Sequence, residues 1–158
     1  SLGSRGLGDV YKRQEQGWLT NISRDIDESI DLMVDAAQRR VPISIGHIGN
    51  IVELWERIVE RNIHVDLGSD QTSLHNPYQG GYFPADYSYQ ESSLMMSNDP
   101  EKFAQEIRKT LIRHADAVNT LSDRGMFFWD YGNAFLLEAS RVGADVLKPN
   151  GNLSLIHI

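Results

Sequence analysis

The chain has 158 residues, of which 41% are hydrophobic and 23% charged, a composition typical of one folded domain or of part of a larger one. Its formal net charge of -7 argues against a nucleic-acid partner, because phosphate backbones are bound by basic surfaces. No apolar run approaches the roughly 20 residues needed to cross a bilayer, so we expect no membrane partner. The chain contains no cysteine, which excludes disulfides within it and favours a cytoplasmic location.

The two ends of the chain differ in character from the sequence between them. Residues 1–14 are rich in glycine and basic side chains, and residues 152–158 are apolar without a cap or a charged tail. We expect both segments to derive from adapter or linker sequence, which leaves residues 15–151 as the predicted folded part. The alternative is a natural flexible arm at one end and a real terminal strand at the other.

The first predicted elements are a helix, a strand and a glycine turn. Apolar residues recur every three or four positions over Asp25–Ala37, which indicates an amphipathic helix that ends before Pro42. A short buried strand is predicted over residues 41–45. A tight turn follows at Gly46–Asn50, whose last residue is a natural N-cap for a second helix.

The middle of the chain predicts a strand, a long loop and a helix with a strong start. Asn62 ends the second helix, and residues 63–67 predict the second strand. A polar, aromatic-rich stretch from Gly68 to about Ser97 is predicted as a loop, and its length and aromatic content favour a functional role. Asp99 is the predicted cap of the third helix, which Gly125 ends. The predicted buried face of this helix consists of Phe103, Ile107, Leu111, Val118 and Leu121.

The last predicted elements complete an alternation of strands with helices. Residues 126–130 predict a third strand, residues 131–133 a turn, and the helix that follows ends at Gly143. Residues 144–147 could begin a fourth strand. Helices that alternate with strands indicate an α/β fold in which helices flank a parallel sheet.

Three polar or glycine-containing segments follow the predicted strands. They are Gly46–Asn50, Gly68–Phe83 and Asp130–Asn133. Ligands of parallel α/β sheets bind at the carboxyl ends of the strands, so we expect these segments to meet around one site.

The chemistry of these segments suits a nucleotide. Glycines in the turn before Asn50 allow close backbone approach, and the following helix start offers N–H groups to an anion; a tight turn with no ligand is the alternative. Gln71, Thr72, Ser73 and His75 supply neutral donors and acceptors for ribose and phosphate oxygens. A polar turn satisfied by its own internal hydrogen bonds is the alternative for this second segment.

Other chemistries have little support in the sequence. The histidines show no metal-binding spacing such as H-E-x-x-H, and no nucleophile elbow of the G-x-S-x-G type occurs. His114 lies among charged residues of the third helix and is expected to be solvated. Trp55, Trp129 and the pair Phe127–Phe128 are predicted to be core residues rather than ligand-stacking ones.

Four stretches of the chain resemble the urocanase family. They are Ser44–Asn50, Asp66–Pro77, Gly80–Pro84 and Phe128–Ala139. The motifs Asp-Gln-Thr-Ser-x-His and Asp-Tyr-Gly-Asn are specific in combination, and the resemblance runs from about Gly17 to Leu147. It implies that residues 15–151 are an incomplete, Rossmann-like NAD-binding domain.

The resemblance also implies an activity. Urocanases add water to urocanate, in histidine breakdown, to give 4-imidazolone-5-propanoate, with tightly bound NAD+ as an electrophile and no net hydride transfer. Full-length members are expected to be cytoplasmic homodimers. The positions that match the family's NAD+ contacts are Asn50, Ile51, Gln71, Thr72, Ser73, Leu74, His75, Tyr82, Phe83 and Tyr131. Phe83 departs from the leucine that is more common in the family.

The family's pyrophosphate loop and catalytic cysteine are expected outside this chain, so no residue in it is predicted to be catalytic. We therefore expect the isolated polypeptide neither to hold NAD+ tightly nor to hydrate urocanate. One alternative is a generic Rossmann-like lobe of an NAD-dependent oxidoreductase. Another is a non-catalytic binding module with an exposed apolar patch, against which the polar segment Asp70–His75 argues.

Overall fold

The computed structural model describes residues 11–132 and 134–147. The strands are β1 (Asn21–Ser23), β2 (Ile45–His47), β3 (Leu67–Asp70) and β4 (Phe127–Asp130). The α-helices that follow the first strand are α1 (Ile26–Arg39), α2 (Ile51–Glu60), α3 (Tyr89–Asn98), α4 (Pro100–Asp123) and α5 (Phe135–Arg141). Residues 11–15 are also helical, and Pro77–Gln79 form one turn of 3-10 helix. No helix of the described part is both long and apolar enough to cross a membrane.

The strands pair in parallel, as predicted, but in two separate pairs within the described residues. β1 lies beside β2, with Asn21 opposite Ile45, and β3 lies beside β4, with Leu67 opposite Phe127. Helices flank both pairs, so the prediction of an α/β fold with parallel strands is confirmed. The fourth strand predicted at residues 144–147 is reduced to a bridge at Leu147.

Strand positions differ from the prediction because each strand is set by its partner. β2 begins at Ile45 rather than at residue 41 and includes part of the predicted glycine turn. Its partner β1 was not predicted, since Asn21–Ser23 is polar and shows no apolar run. β3 likewise lies at Leu67–Asp70 rather than at residues 63–67, in register with β4.

Helix starts agree with the prediction because capping is local. Asp25 accepts a hydrogen bond from the Glu28 N–H at the start of α1, and Asp99 accepts one from the Lys102 N–H at the start of α4. The last part of the predicted long loop is instead helix α3, which begins with a capping box between Ser88 and Glu91. The apolar residues of α3 are too few and too clustered to show a helical period.

The hydrophobic core surrounds α4, which packs against α2, α3 and α5. Five of its residues were predicted to be buried and all are: Phe103, Ile107, Leu111, Val118 and Leu121. Trp55 and Phe128 also lie in the core, as predicted. Phe127 was wrongly placed there, since it is 40% exposed, and Trp129 is only half-buried. Successive strand residues face opposite sides, so β4 turns Phe128 inward and its two neighbours outward.

Candidate functional site

Two aspartates organise the edge where β3 and β4 end. Asp70 and Asp130 are the last residues of their strands and lie opposite each other in register. Asp70 accepts hydrogen bonds from the Thr72 N–H at 3.0 Å and the Thr72 hydroxyl at 2.6 Å. Asp130 accepts from the Gly132 N–H at 2.6 Å and the Leu136 N–H at 3.3 Å. The hydrogen bonds of each carboxylate therefore fix the turn that follows its own strand, and the two turns start side by side.

The segment after β3 alternates between exposed and inward side chains. Gln71, Ser73 and His75 are exposed, Thr72 is half-buried, and Leu74 is fully buried. The Leu74 side chain thus anchors the segment in the core, and any contact it makes with a ligand has to come from its backbone. The exposed members present neutral donors and acceptors at the carboxyl edge of β3.

Asn50 connects the glycine turn to a second part of the predicted site. Its side-chain oxygen caps α2 by accepting from the Val52 N–H at 2.9 Å, and its amide nitrogen donates to the Phe83 carbonyl at 3.1 Å. Ile51 and Phe83 are half-buried, and the Phe83 ring lies 5.1 Å from that of Tyr89. The structure therefore brings together Asn50 and Phe83, the last residues of two of the three predicted strand-end segments. Asn133, the last residue of the third segment, lies outside the described residues.

A tight backbone approach closes the segment between β3 and Phe83. A Cβ atom added at Gly81 would lie 2.3 Å from the Ser73 carbonyl oxygen and 2.8 Å from that of Asn76. The Gly81 N–H also donates to the Asn76 carbonyl at 3.2 Å. Only glycine fits here, because both obstructing atoms belong to the backbone and have no freedom to rotate away.

Tyr82 belongs to a buried polar cluster rather than to the accessible surface. It is 3% exposed, and its hydroxyl lies 3.0 Å from His114 Nδ1, while His114 Nε2 lies 3.7 Å from Asp70 Oδ2. Burial raises the pKa of the Tyr82 hydroxyl. A direct side-chain contact between Tyr82 and a ligand would therefore require the cluster to open.

The prediction that His114 is solvated is wrong. The residue is fully buried, and desolvation lowers the pKa of its imidazole to about 4, partly opposed by the charge of Asp70. Its ring centroid lies 4.3 Å from that of Phe135. Helical spacing could have revealed this, since His114 is three residues after Leu111 and four before Val118, both of which are core residues.

Tyr131 is accessible at the same edge as Gln71. Its side chain is 60% exposed and directly follows Asp130, as Gln71 directly follows Asp70. The Tyr131 ring lies 6.1 Å from that of Trp129, which in turn lies 6.1 Å from that of Phe127. An aromatic row thus runs along the outer face of β4 to the edge where the polar segments begin.

Metal chemistry has no centre in this part of the chain. Among residues 11–132 and 134–147, no group of three or more His, Cys, Asp or Glu side chains is arranged to hold a metal ion. Near Phe83, the Glu53 carboxylate accepts a hydrogen bond from the Asp86 backbone N–H, and Arg113 forms ion pairs with Glu56 and Asp86.

Acidification is expected to destabilise the fold through His114. The folded pKa is about 4, below the ordinary value of 6.5, so the unfolded chain binds a proton that the folded state does not. The contribution of neutral His114 is complete above pH 6.5 and is lost as the pH falls towards 4, by up to about 1.4 kcal/mol per pH unit. Urea unfolding measures the free energy of unfolding of the protein and of His114→Gln at each pH. The difference between the two should shrink as the pH falls from 6.5 to 4, and a constant difference would contradict a buried, neutral His114.

Two substitutions at Asn50 are expected to separate its two roles. Asn50→Asp keeps the oxygen that caps α2 but removes the N–H that donates to Phe83, whereas Asn50→Ala removes both. We expect Asn50→Ala to lower the free energy of unfolding by about 2 kcal/mol and Asn50→Asp by about half as much. Urea unfolding of both variants measures the difference, and equal losses would show that the cap contributes nothing.

Parallel strands, flanking helices and polar segments at the strand ends define a Rossmann-like domain. A family model described as the urocanase Rossmann-like domain matches residues 8–153, and the chain belongs to the urocanase family. The family resemblance found in the sequence is thereby confirmed.

Individual relatives agree with the family match. The chain is 50% identical over 141 residues to a probable urocanate hydratase of Dictyostelium discoideum and 47% identical over 140 residues to one of Caenorhabditis elegans. It is 46% identical over 148 residues to urocanate hydratase of Mus musculus. These alignments cover 89%, 88% and 90% of this chain but only 21%, 21% and 22% of the relatives. The chain therefore spans about a fifth of the length of these relatives.

Proposed function

We propose that this chain supplies one side of the NAD+ site of a urocanate hydratase, which converts urocanate to 4-imidazolone-5-propanoate. The observation that carries the proposal is the row of exposed polar side chains Gln71, Ser73 and His75, held at the carboxyl edge of β3 by the bonds from Thr72 to Asp70. Ligands bind at this edge of parallel α/β sheets. Membership in the urocanase family supports this function over a generic oxidoreductase lobe.

The residues at this edge fit parts of a dinucleotide. Amide, hydroxyl and imidazole groups at Gln71, Ser73 and His75 match ribose hydroxyls and a carboxamide without needing positive charge. The exposed ring of Tyr131 adds a flat apolar surface at the same edge. The backbone at Ile51 begins α2, whose free N–H groups favour an anion. When bound, NAD+ supplies an electrophilic ring, and the role proposed for this chain is to bind and orient the cofactor.

The predicted contacts then fall into two groups. Gln71, Ser73, His75 and Tyr131 are accessible and are assigned to direct contact with the cofactor. The remaining positions support them from behind or contribute backbone atoms: Asn50, Ile51, Thr72, Leu74, Tyr82 and Phe83.

The chemical step on urocanate is assigned to residues outside this chain. The 158 residues contain no cysteine, and the chain spans about a fifth of its relatives. We expect the isolated polypeptide to bind NAD+ weakly and to cause no loss of urocanate absorbance even at substrate-level protein concentration. The complete enzyme is proposed to act as a cytoplasmic homodimer.

A chimaera allows the site to be tested in a whole enzyme. The 141 residues of this chain that align with the Dictyostelium discoideum relative replace the matching segment of that protein. We expect the chimaera to retain NAD+ through gel filtration and to hydrate urocanate. A chimaera that hydrates urocanate without NAD+, or that instead exchanges hydride with a small alcohol, would contradict the proposal.

Gln71→Ala in the chimaera tests the segment itself. Loss of the exposed amide is expected to weaken NAD+ binding about tenfold, because a hydrogen bond to the ligand is lost. Gln105→Ala is the matched control, since Gln105 is also exposed but lies on α4. Equal NAD+ affinity in the two variants would remove Gln71 from the site.

A further inference from the structure

We propose that His114 is the positioning residue for the cofactor segment, because its single imidazole ring engages the residues at both ends of Gln71–Gly81. Asp70 directly precedes this segment and Tyr82 directly follows it. His114 lies 3.7 Å from the carboxylate of Asp70 and 3.0 Å from the hydroxyl of Tyr82. The inference rests on the proposed function, in that it assigns the geometry of the same NAD+ segment to a residue that does not touch the ligand.

The protons of this cluster can be assigned from its chemistry. Burial keeps the imidazole neutral at neutral pH, so one ring nitrogen donates and the other accepts. The Tyr82 hydroxyl donates to Nδ1, which leaves the Nε2–H facing Asp70 Oδ2. At 3.7 Å this last contact is an electrostatic attraction rather than a hydrogen bond, and it is strengthened by the burial of all three side chains in a low-dielectric interior.

Helix α4 also holds the chain that follows the cofactor segment. On the same helix face, Thr110 accepts a hydrogen bond from the Ala85 N–H at 3.1 Å, and Arg113 pairs with Asp86. These contacts fasten the chain just beyond Tyr82. His114 differs from both neighbours because it also reaches the start of the segment at Asp70. It is therefore the one contact on this face that fixes both ends of the segment among the described interactions.

A second packing contact fixes the imidazole itself. The Phe135 ring on α5 lies 4.3 Å from the His114 ring, centroid to centroid. The ring is thus held by packing on one side and by polar contacts at both nitrogens. Without it, Gln71–Gly81 would be held by its Leu74 anchor, by its own turns and by the packing of Pro77–Gln79 on α4, where Arg108 lies over the Tyr78 ring. The two ends of the segment would lose the contact they share, and reordering them on ligand binding would cost conformational entropy.

His114→Phe in the chimaera tests this role, since phenylalanine keeps an aromatic ring but removes both nitrogens. We expect NAD+ binding to weaken about tenfold and amide hydrogen exchange to accelerate selectively in residues 71–81. Turnover at saturating NAD+ should change by less than about twofold, because the bound geometry is restored by the ligand. Ile30→Ala, a buried residue of α1, is the control for general destabilisation.

Tyr82→Phe removes only the hydroxyl oxygen that contacts His114, and it tests the same contact if His114→Phe does not fold. It should accelerate exchange in the same segment to a smaller degree and have no further effect when added to His114→Phe. Unchanged exchange in residues 71–81, or the same increase in Ile30→Ala, would overturn the proposal. If the parent chimaera fails to bind NAD+, the proposed function fails, whereas the exchange comparison still decides the role of His114.

Discussion

Phe135→Ala is expected to lower the free energy of unfolding by roughly 4 kcal/mol, because it removes a fully buried ring. Phe135 is fully buried, and its ring packs 4.3 Å from His114 and 6.0 Å from Phe128, centroid to centroid. It therefore joins α5 to both α4 and β4. Removing the ring creates a cavity at this junction, and α5, at seven residues, is too short to hold its place by internal hydrogen bonds.

Leu137→Ala is the matched control on the same helix. Leu137 is 40% exposed, so its loss should cost less than about 1 kcal/mol. Urea unfolding of the two variants compares them directly. Similar losses would show that α5 docks through its surface rather than through Phe135.

Gly81→Ala is expected to combine a loss of stability with a loss of NAD+ binding. The new methyl group would lie 2.3 Å from the Ser73 carbonyl oxygen, so the backbone of the cofactor segment has to move. We expect a stability loss of roughly 3 kcal/mol and NAD+ affinity reduced at least about tenfold in the chimaera. Calorimetric titration with NAD+ and urea unfolding measure the two effects.

Gly125→Ala is the control for Gly81→Ala, because it adds the same methyl group where no atom is close enough to clash. Gly125 has φ +105°, but nothing lies within 4 Å of an added Cβ, so only backbone strain of about 1 kcal/mol is expected. Its NAD+ affinity should equal that of the parent chimaera. If Gly81→Ala behaves in the same way as Gly125→Ala, the close approach at Ser73 does not shape the site.

The parts of the fold that depend on local chemistry were predictable from the sequence. Asn50 and Asp99 cap their helices as expected, because a cap bonds to a backbone N–H only two or three positions away. The buried face of α4 was likewise visible in its apolar period. The positions of strands β1 and β3 were not predictable, because they depend on pairing with strands that are distant in the sequence. Both strands are also short, and most of their residues are polar or glycine.

The candidate site shows the same division. Exposed polar residues such as Gln71 were indicated by their type and by the strand before them. The burial of Tyr82 was not, because it depends on His114 and Asp70, which are distant from one another in sequence. Helical spacing places His114 on the buried face of α4, but it does not say which polar groups the imidazole meets there. Those partners depend on the packing of α4 against the segment after β3.

The parallel pairing of β3 with β4 bears on when the site is assembled during folding. The chain between the two strands contains α3 and α4, so their pairing closes a long loop and carries a large entropic cost. Local helices form in microseconds, whereas such distant contacts form later. During synthesis, Asp70 leaves the ribosome well before Asp130. The edge that carries Gln71 and Tyr131 is thus completed only after α4 has emerged, so a ligand that needs both residues binds only after Tyr131 has been synthesised.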